Sequence, residues 1–261
     1  MGTRFVLLAE DKFNYNLDSD DLTVVTGTVH GTVRKDDEVY VLDQSGRSVL
    51  TKVRQLESGN EHPDSCTDAP VAVVLEISSS ELDKYSVITN IRPWDNEDVN
   101  SAVENPYLTG MLYGEKFKDD KLFFSKFVFA LAHSRLLAPV VFSKNPEDNG
   151  NGTATLTEHT QISFPTLANP AFPGKATLAV YTDWTELNKW KDAPRDENNT
   201  VQTVILKFPD IVHLVEDPGM NGCVINAFGP TSFFMSTSMI DMITSLEGYR
   251  REFGESPKTD N

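Results

Sequence analysis

At 261 residues the chain is long enough for one large domain or two ordinary ones, and 39% hydrophobic with 24% charged residues is the balance of a globular protein. Its net charge is −16, with nine basic against sixteen acidic residues up to Arg92 and fourteen against twenty-three beyond, so both halves repel a phosphate backbone or an anionic membrane. No apolar run nears the ~20 residues that cross a bilayer, and the few apolar residues before Glu10 and Asp11 are too short for a signal-peptide core, so a cytoplasmic location is expected.

The first element is a strand, Phe5-Val6-Leu7-Leu8. Asp18-Ser19-Asp20-Asp21 reads as a turn cluster and not as a calcium loop, because the glycine and distal glutamate of such a loop are missing. Strands are expected at about 22–33, 37–43 and 48–56, with turns at Arg34–Asp36 and Gln44-Ser45-Gly46. Val71, Val73, Leu75 and Ile77 then alternate with Ala72, Val74 and Glu76, the period of a strand with one buried face. Val87–Ile91 closes the set. Five or six short strands without a helical pattern predict a small closed β-barrel over residues 1–95.

Residues 96–104 read as a linker, acidic and aperiodic after Pro93, and a mixed α/β domain is expected over 105–250. Asn105-Pro106 starts a helix with Leu108, Met111 and Leu112 on one face. A longer helix over 119–136 carries Phe124, Phe127, Val128 and Leu131, and 137–142 reads as a buried strand. A polar turn at 145–152 precedes strands at 153–158, 161–164 and 176–181. Asp183-Trp184-Thr185-Glu186 has capping-box spacing and opens a short helix with Trp184 and Leu187 inward. A helix from Pro209 turns Ile211, Leu214 and Val215 inward; 222–226 is a strand; a final helix carries Met239, Met242, Ile243, Leu246 and Tyr249. The tail 251–261 is expected to be disordered.

Two family resemblances follow from quoted residues. Thr26-Gly27-Thr28-Val29 with Gly31, Lys35, Asp37, Glu38 and Val39, then Thr51–Leu56 and Asp68–Leu75, resemble the second-domain β-barrel of translational GTPases of the elongation factor Tu type. Asp36 stands where that family has a turn glycine of positive φ, a conformation Asp tolerates better than most residues. Asn105–Leu108, Leu136–Val140, Ile162–Leu167, Val180–Trp184 and Gly222–Gly229 resemble the SseB-type (enhanced serine sensitivity) N-terminal domain, with Asp183 for the family's usual serine and Ala227 for its proline. The first resemblance implies contact with ribosome or tRNA, which the acidic charge opposes. The second implies a mixed α/β domain without a transferable reaction.

Reactive motifs are sparse. No GxxxxGK[ST] loop exists, Gly174-Lys175 has no glycine at the needed spacing, and Asn188-Lys189 lacks a following aspartate at the NKxD position. Glu61-His62-Pro63-Asp64-Ser65-Cys66 offers too few ligands for zinc, and the pair Cys66 and Cys223 reads as reduced thiols. His30, His133 and His213 read as structural. No catalytic residue, metal or cofactor is expected. Strand ends collect ligands in open α/β sheets, which singles out Asp183, Trp184, Asn226, Phe228 and Gly229 as partner- or ligand-binding residues. The competing reading gives Asp183 a capping role, Trp184 a core role and Gly229-Pro230 a turn. Trp184, Trp190, Phe233 and Phe234 also suit a protein-binding surface. The favoured function is a non-catalytic adaptor with a protein partner; a translation factor and a small-molecule enzyme or sensor are the alternatives.

Overall fold

The computed structural model describes residues 3–17, 20–95, 101–144, 147–150, 154–155 and 160–254. Expectations for Asp18-Ser19, 96–100, 255–261 and much of 145–159 lie outside these. Contacts divide the chain into two compact units, Met1–Pro93 with Pro106–Ala130, and Trp94–Asn105 with Leu131–Asn261.

In the first unit, β1 (Phe5–Leu8), β2 (Asp11–Leu17), β3 (Asp20–Arg34), β4 (Glu38–Leu42), β5 (Ser48–Glu57), β6 (Ser65–Thr67), β7 (Pro70–Leu75) and β8 (Val87–Thr89) form one sheet. The order β1-β8-β4-β5-β7-β3 closes on itself where β3 pairs β1, giving a six-stranded barrel, with β2 and β6 as flanking partners of β3. The expected alternation fills its interior: Val25, Val29 and Val33 of β3 meet Val39, Val41, Val53, Val73 and Leu75. Gly27 and Gly31 interrupt that row because β1 crosses there. A side chain on Gly27 would sit 2.3 Å from the Leu8 carbonyl, and one on Gly31, at φ +95°, 2.0 Å from that of Arg4. Asp36 does hold the left-handed turn, at φ 67°, and its amide donates to the Val53 carbonyl at 2.8 Å.

Two helices begin after the second unit's first segment: α1 (Pro106–Tyr113) and α2 (Lys121–His133). Pro106–Ala130 groups with the barrel, whereas the sequence pattern places everything from residue 105 onward beyond the linker 96–104. The reason lies in β1, where all four residues are buried. Phe5 and Leu7 face the barrel interior. The other face lies under the helices: a Cβ on Gly110 would press on Val6 and Val87, and one on Gly114 on Leu8 and Phe123. The expected linker is likewise no free tether in its described part, since Val103 is buried with Leu137 and Trp190, and Trp94 packs on the same cluster.

The second unit contains β9 (Arg135–Pro139), β10 (Val141–Phe142), β11 (Glu147–Asp148), β12 (Ala154–Thr155), β13 (Ile162–Ser163), β14 (Thr166–Ala168), β15 (Ala176–Val180), α3 (Trp184–Leu187), β16 (Thr203–Lys207), α4 (Phe208–Val215), β17 (Met220–Ile225), β18 (Phe233–Ser236), α5 (Thr237–Ser245) and α6 (Glu247–Phe253). Its main sheet runs β14-β15-β17-β18, with β15 and β17 parallel. The β9–β16 ribbon joins at the end of β15 through a Leu137–Tyr181 bridge. Gly222, at φ +131°, lets β17 and β18 approach: a Cβ there would lie 2.0 Å from the Met235 carbonyl.

Several expectations are corrected. The strand over 137–142 is broken at Val140, and Val141 is exposed. In α4, Val212 is buried with Ile211 and Val215, while Leu214 is only half-buried. The final helix breaks at Leu246 (ψ 136°), so Ile240 and Ile243 are buried while Met242 and Leu246 face outward. Residues 251–253 of the expected tail belong to α6. Among the described residues no helix is long and apolar enough to cross a membrane.

Candidate functional site

Because β15 and β17 are parallel, Thr182-Asp183 and Asn226, which follow their last residues, emerge at one edge of the sheet. Asn226 is fully buried and left-handed at φ 52°. Its amide donates to the Val180 carbonyl at 2.9 Å, and its Oδ1 accepts the Thr182 amide at 3.0 Å. Nδ2 donates to the hydroxyls of Thr182 at 3.1 Å and Thr231 at 3.0 Å. The Thr182 hydroxyl has one proton, and it faces Asp183 Oδ2 at 2.9 Å more closely than Asn226 Oδ1 at 3.3 Å. It therefore donates to Asp183 and accepts from Asn226.

Asp183 caps α3. Its Oδ1 accepts the amides of Thr185 at 2.8 Å and Glu186 at 3.1 Å, the N-cap half of the capping box that its sequence spacing predicts. With Oδ2 held by Thr182 and only 4% of the residue exposed, Asp183 is a fixed scaffold element. Asn105 extends the network. Its Nδ2 donates to the carbonyls of Arg135 and Thr182, each at 2.7 Å, and its Oδ1 accepts the Arg135 amide at 3.1 Å. The sequence marked Asn105 as a helix start and as part of a family resemblance; its role in joining β9 to the end of β15 is long-range and has no local signature.

Trp184 is not the core residue that the helix pattern predicts, since 38% of it is exposed. The one-turn helix leaves Trp184 partly open to solvent and turns Leu187, 1% exposed, inward. Phe228 is 46% exposed and stacks on Trp190 at 5.6 Å, which in turn stacks on buried Tyr181 at 6.3 Å. Gly229 closes the loop through its amide to the Asn226 carbonyl at 2.9 Å. It also lies directly against Glu186, and a Cβ there would fall 1.9 Å from Glu186 Oε2. Glu186 is buried; Oε1 accepts Lys189 Nζ at 2.5 Å, whereas Oε2 has no hydrogen-bond partner. The Tyr181 hydroxyl is also buried and unpartnered, and burial pushes its phenol above the ordinary range. Neither group was marked by the sequence, because both require the loop contact to be known.

The remaining candidates are dispersed. Phe233 and Phe234 are half-buried in β18, with Phe234 5.9 Å from Phe172. His133 ends α2 and meets Glu252 at 2.6 Å; His213 is exposed near Glu216 at 3.3 Å. In the barrel unit His62 contacts Gln55 at 3.1 Å, and His30 stacks on Tyr113. Cys66 and Cys223 are free and buried, and burial pushes the Cys223 thiol up to about 12. Among the described residues no three His, Cys, Asp or Glu side chains gather as a metal site.

No curated protein matches the chain. The family model of the SseB protein N-terminal domain matches residues 115–242, a span that contains the strand-end cluster from Thr182 to Thr231 and makes the protein SseB-like in that region.

Proposed function

We propose that the protein is a non-catalytic, cytoplasmic adaptor whose α/β unit engages a protein partner through Trp184 and Phe228. The observation that carries this reading is the contrast at the sheet edge. Asp183 and Asn226 are saturated by internal hydrogen bonds, whereas the two large aromatics beside them stay 38% and 46% exposed. A general base must be able to take up a proton from substrate, and an Asp183 carboxylate holding three donors is badly placed for that. Exposed aromatic anchors are the usual centres of interface energy. Free cysteines support a reducing compartment, and a charge of −16 supports a protein partner over nucleic acid. The resemblance of the barrel to the translation-factor type would add a ribosome or tRNA contact, a reading that the acidic charge opposes.

The test is a capture experiment with Trp184→Ala/Phe228→Ala beside the wild type. A partner recovered reproducibly by the wild type should be lost from the double variant while that variant still unfolds cooperatively, with only the small loss of stability due to the Phe228–Trp190 stack. No reproducible partner, together with turnover of a compound in a metabolite panel, would overturn the proposal.

A further inference from the structure

The barrel unit carries a second feature, independent of the aromatic rim. Two cavities of about 430 and about 220 Å³ share Glu10, Thr28 and Lys116 in their walls. The larger is completed by Glu57 and the start of β7, the smaller by His30 and Tyr113. Lys116 Nζ lies 2.7 Å from Glu10 Oε1 and 4.9 Å from the centre of the Phe117 ring, on a side chain that is 56% exposed. The chain's own alkyl-ammonium group therefore stands at the junction of the two cavities.

We propose that these cavities form one groove for a linear polyamine, one ammonium of which takes the place of Lys116 at Glu10 while another reaches Glu57. The charge balance favours this class. With Lys116 swung out, two carboxylates remain in the walls, which a diamine neutralises and a monoamine does not. Burial holds His30 below its ordinary value, with Asp68 and Lys116 acting in opposite directions, which disfavours a repelling charge on its imidazole. The imidazole is also fixed by stacking on Tyr113 at 3.6 Å and 9°, giving the smaller cavity a flat, rigid wall. Exposed ion pairs contribute little, so Lys116 is a weak competitor that a ligand with two cations displaces.

The experiment is a calorimetric and NMR titration of the full chain with spermidine at physiological salt. Saturable binding should move the resonances of His30, Tyr113 and Gly114. Glu10→Gln should weaken it about two- to fivefold, the range of an exposed ion pair, whereas Asp241→Asn, an exposed site in α5, should leave it unchanged. Lys116→Ala should tighten it about two- to fivefold, the range of an exposed ion pair, and Lys175→Ala, which changes the net charge equally, should not. Equal effects of the groove and control variants would reduce the binding to bulk electrostatics and overturn the proposal. So would Nα-acetyl-lysine methylamide binding as tightly as spermidine.

Discussion

The contact between Gly229 and Glu186 gives a quantitative test of the strand-end site. No positive φ is required at Gly229, so alanine is allowed by the backbone and the perturbation is purely steric. Its Cβ would lie 1.9 Å from Glu186 Oε2 and 3.0 Å from Cδ, which obliges the carboxylate to retreat by more than an ångström. Glu186 is 8% exposed and its other oxygen is held by Lys189 at 2.5 Å, so retreat disrupts packing and an ion pair together. Overpacking of this kind costs about 1–3 kcal/mol. In a Glu186→Ala background the obstacle is gone, and Gly229→Ala should become neutral or stabilise by up to about 1 kcal/mol through the unfolded chain. The double-mutant cycle should therefore show coupling of about 2 kcal/mol. Urea unfolding followed by tryptophan fluorescence reads this cleanly, because Trp94, Trp184 and Trp190, the only three in the chain, all belong to the α/β unit. A penalty for Gly229→Ala that agrees within about 0.5 kcal/mol in the two backgrounds would refute the contact.

Gly222→Ala should be more damaging, at about 3 kcal/mol or more, since both the φ of +131° and the backbone carbonyl of Met235 oppose a Cβ; loss of amide protection in β18 is the readout. Tyr181→Phe should be neutral or stabilise by about 1 kcal/mol, because it removes a buried hydroxyl without a partner. Burial raises the folded phenol above its unfolded value, so its contribution is fully present below the ordinary value near 10 and is lost as pH rises beyond it. Tyr181→Phe should accordingly flatten alkaline unfolding by about 1.4 kcal/mol per pH unit above 10, and an unchanged alkaline limb would count against the burial. Cys223, wholly buried with its thiol raised to about 12, should resist iodoacetamide at pH 8 in the native protein and react in urea; rapid native labelling would contradict its place in β17.

Much of the barrel was legible because its constraints are local. The period-two valines of β3 and β7 specify an inner face, and Asp36, which holds φ 67°, is a residue type that tolerates a left-handed turn better than most. Capping by Asp183 was legible for the same reason. The position of Trp184 was not, since a single helical turn has no periodicity from which to infer a face. Strands β16 and β18 were missed: Ile205 is 46% exposed in the middle of the three-residue apolar stretch Val204-Ile205-Leu206, too short to show an alternation, and Phe233-Phe234 reads equally well as surface. The Asn105, Thr182 and Asn226 network joins positions up to 77 residues apart, as between Asn105 and Thr182, which no local pattern encodes.

The partner of α1 was the most consequential omission, although a signal for it existed. A strand covered on one side alternates, whereas one covered on both sides reads as continuous apolar residues, and Phe5-Val6-Leu7-Leu8 is continuous. The barrel interior accounts for Phe5 and Leu7 only. Val6, Leu8 and Val87 are 4%, 5% and 0% exposed, and the sites that a Cβ on Gly110 or Gly114 would strike show the helical segment lying over them. Uncovering three such side chains forfeits roughly 4.5–9 kcal/mol at about 1.5–3 kcal/mol each, comparable with the whole stability of a small domain at about 5–15 kcal/mol. A chain ending at Asp95 should therefore be molten or aggregated, binding a hydrophobic dye and unfolding without cooperativity, while one ending at Ala130 should unfold cooperatively. A cooperative, dye-silent barrel of residues 1–95 would show that α1 is an accessory to the fold and not one of its walls.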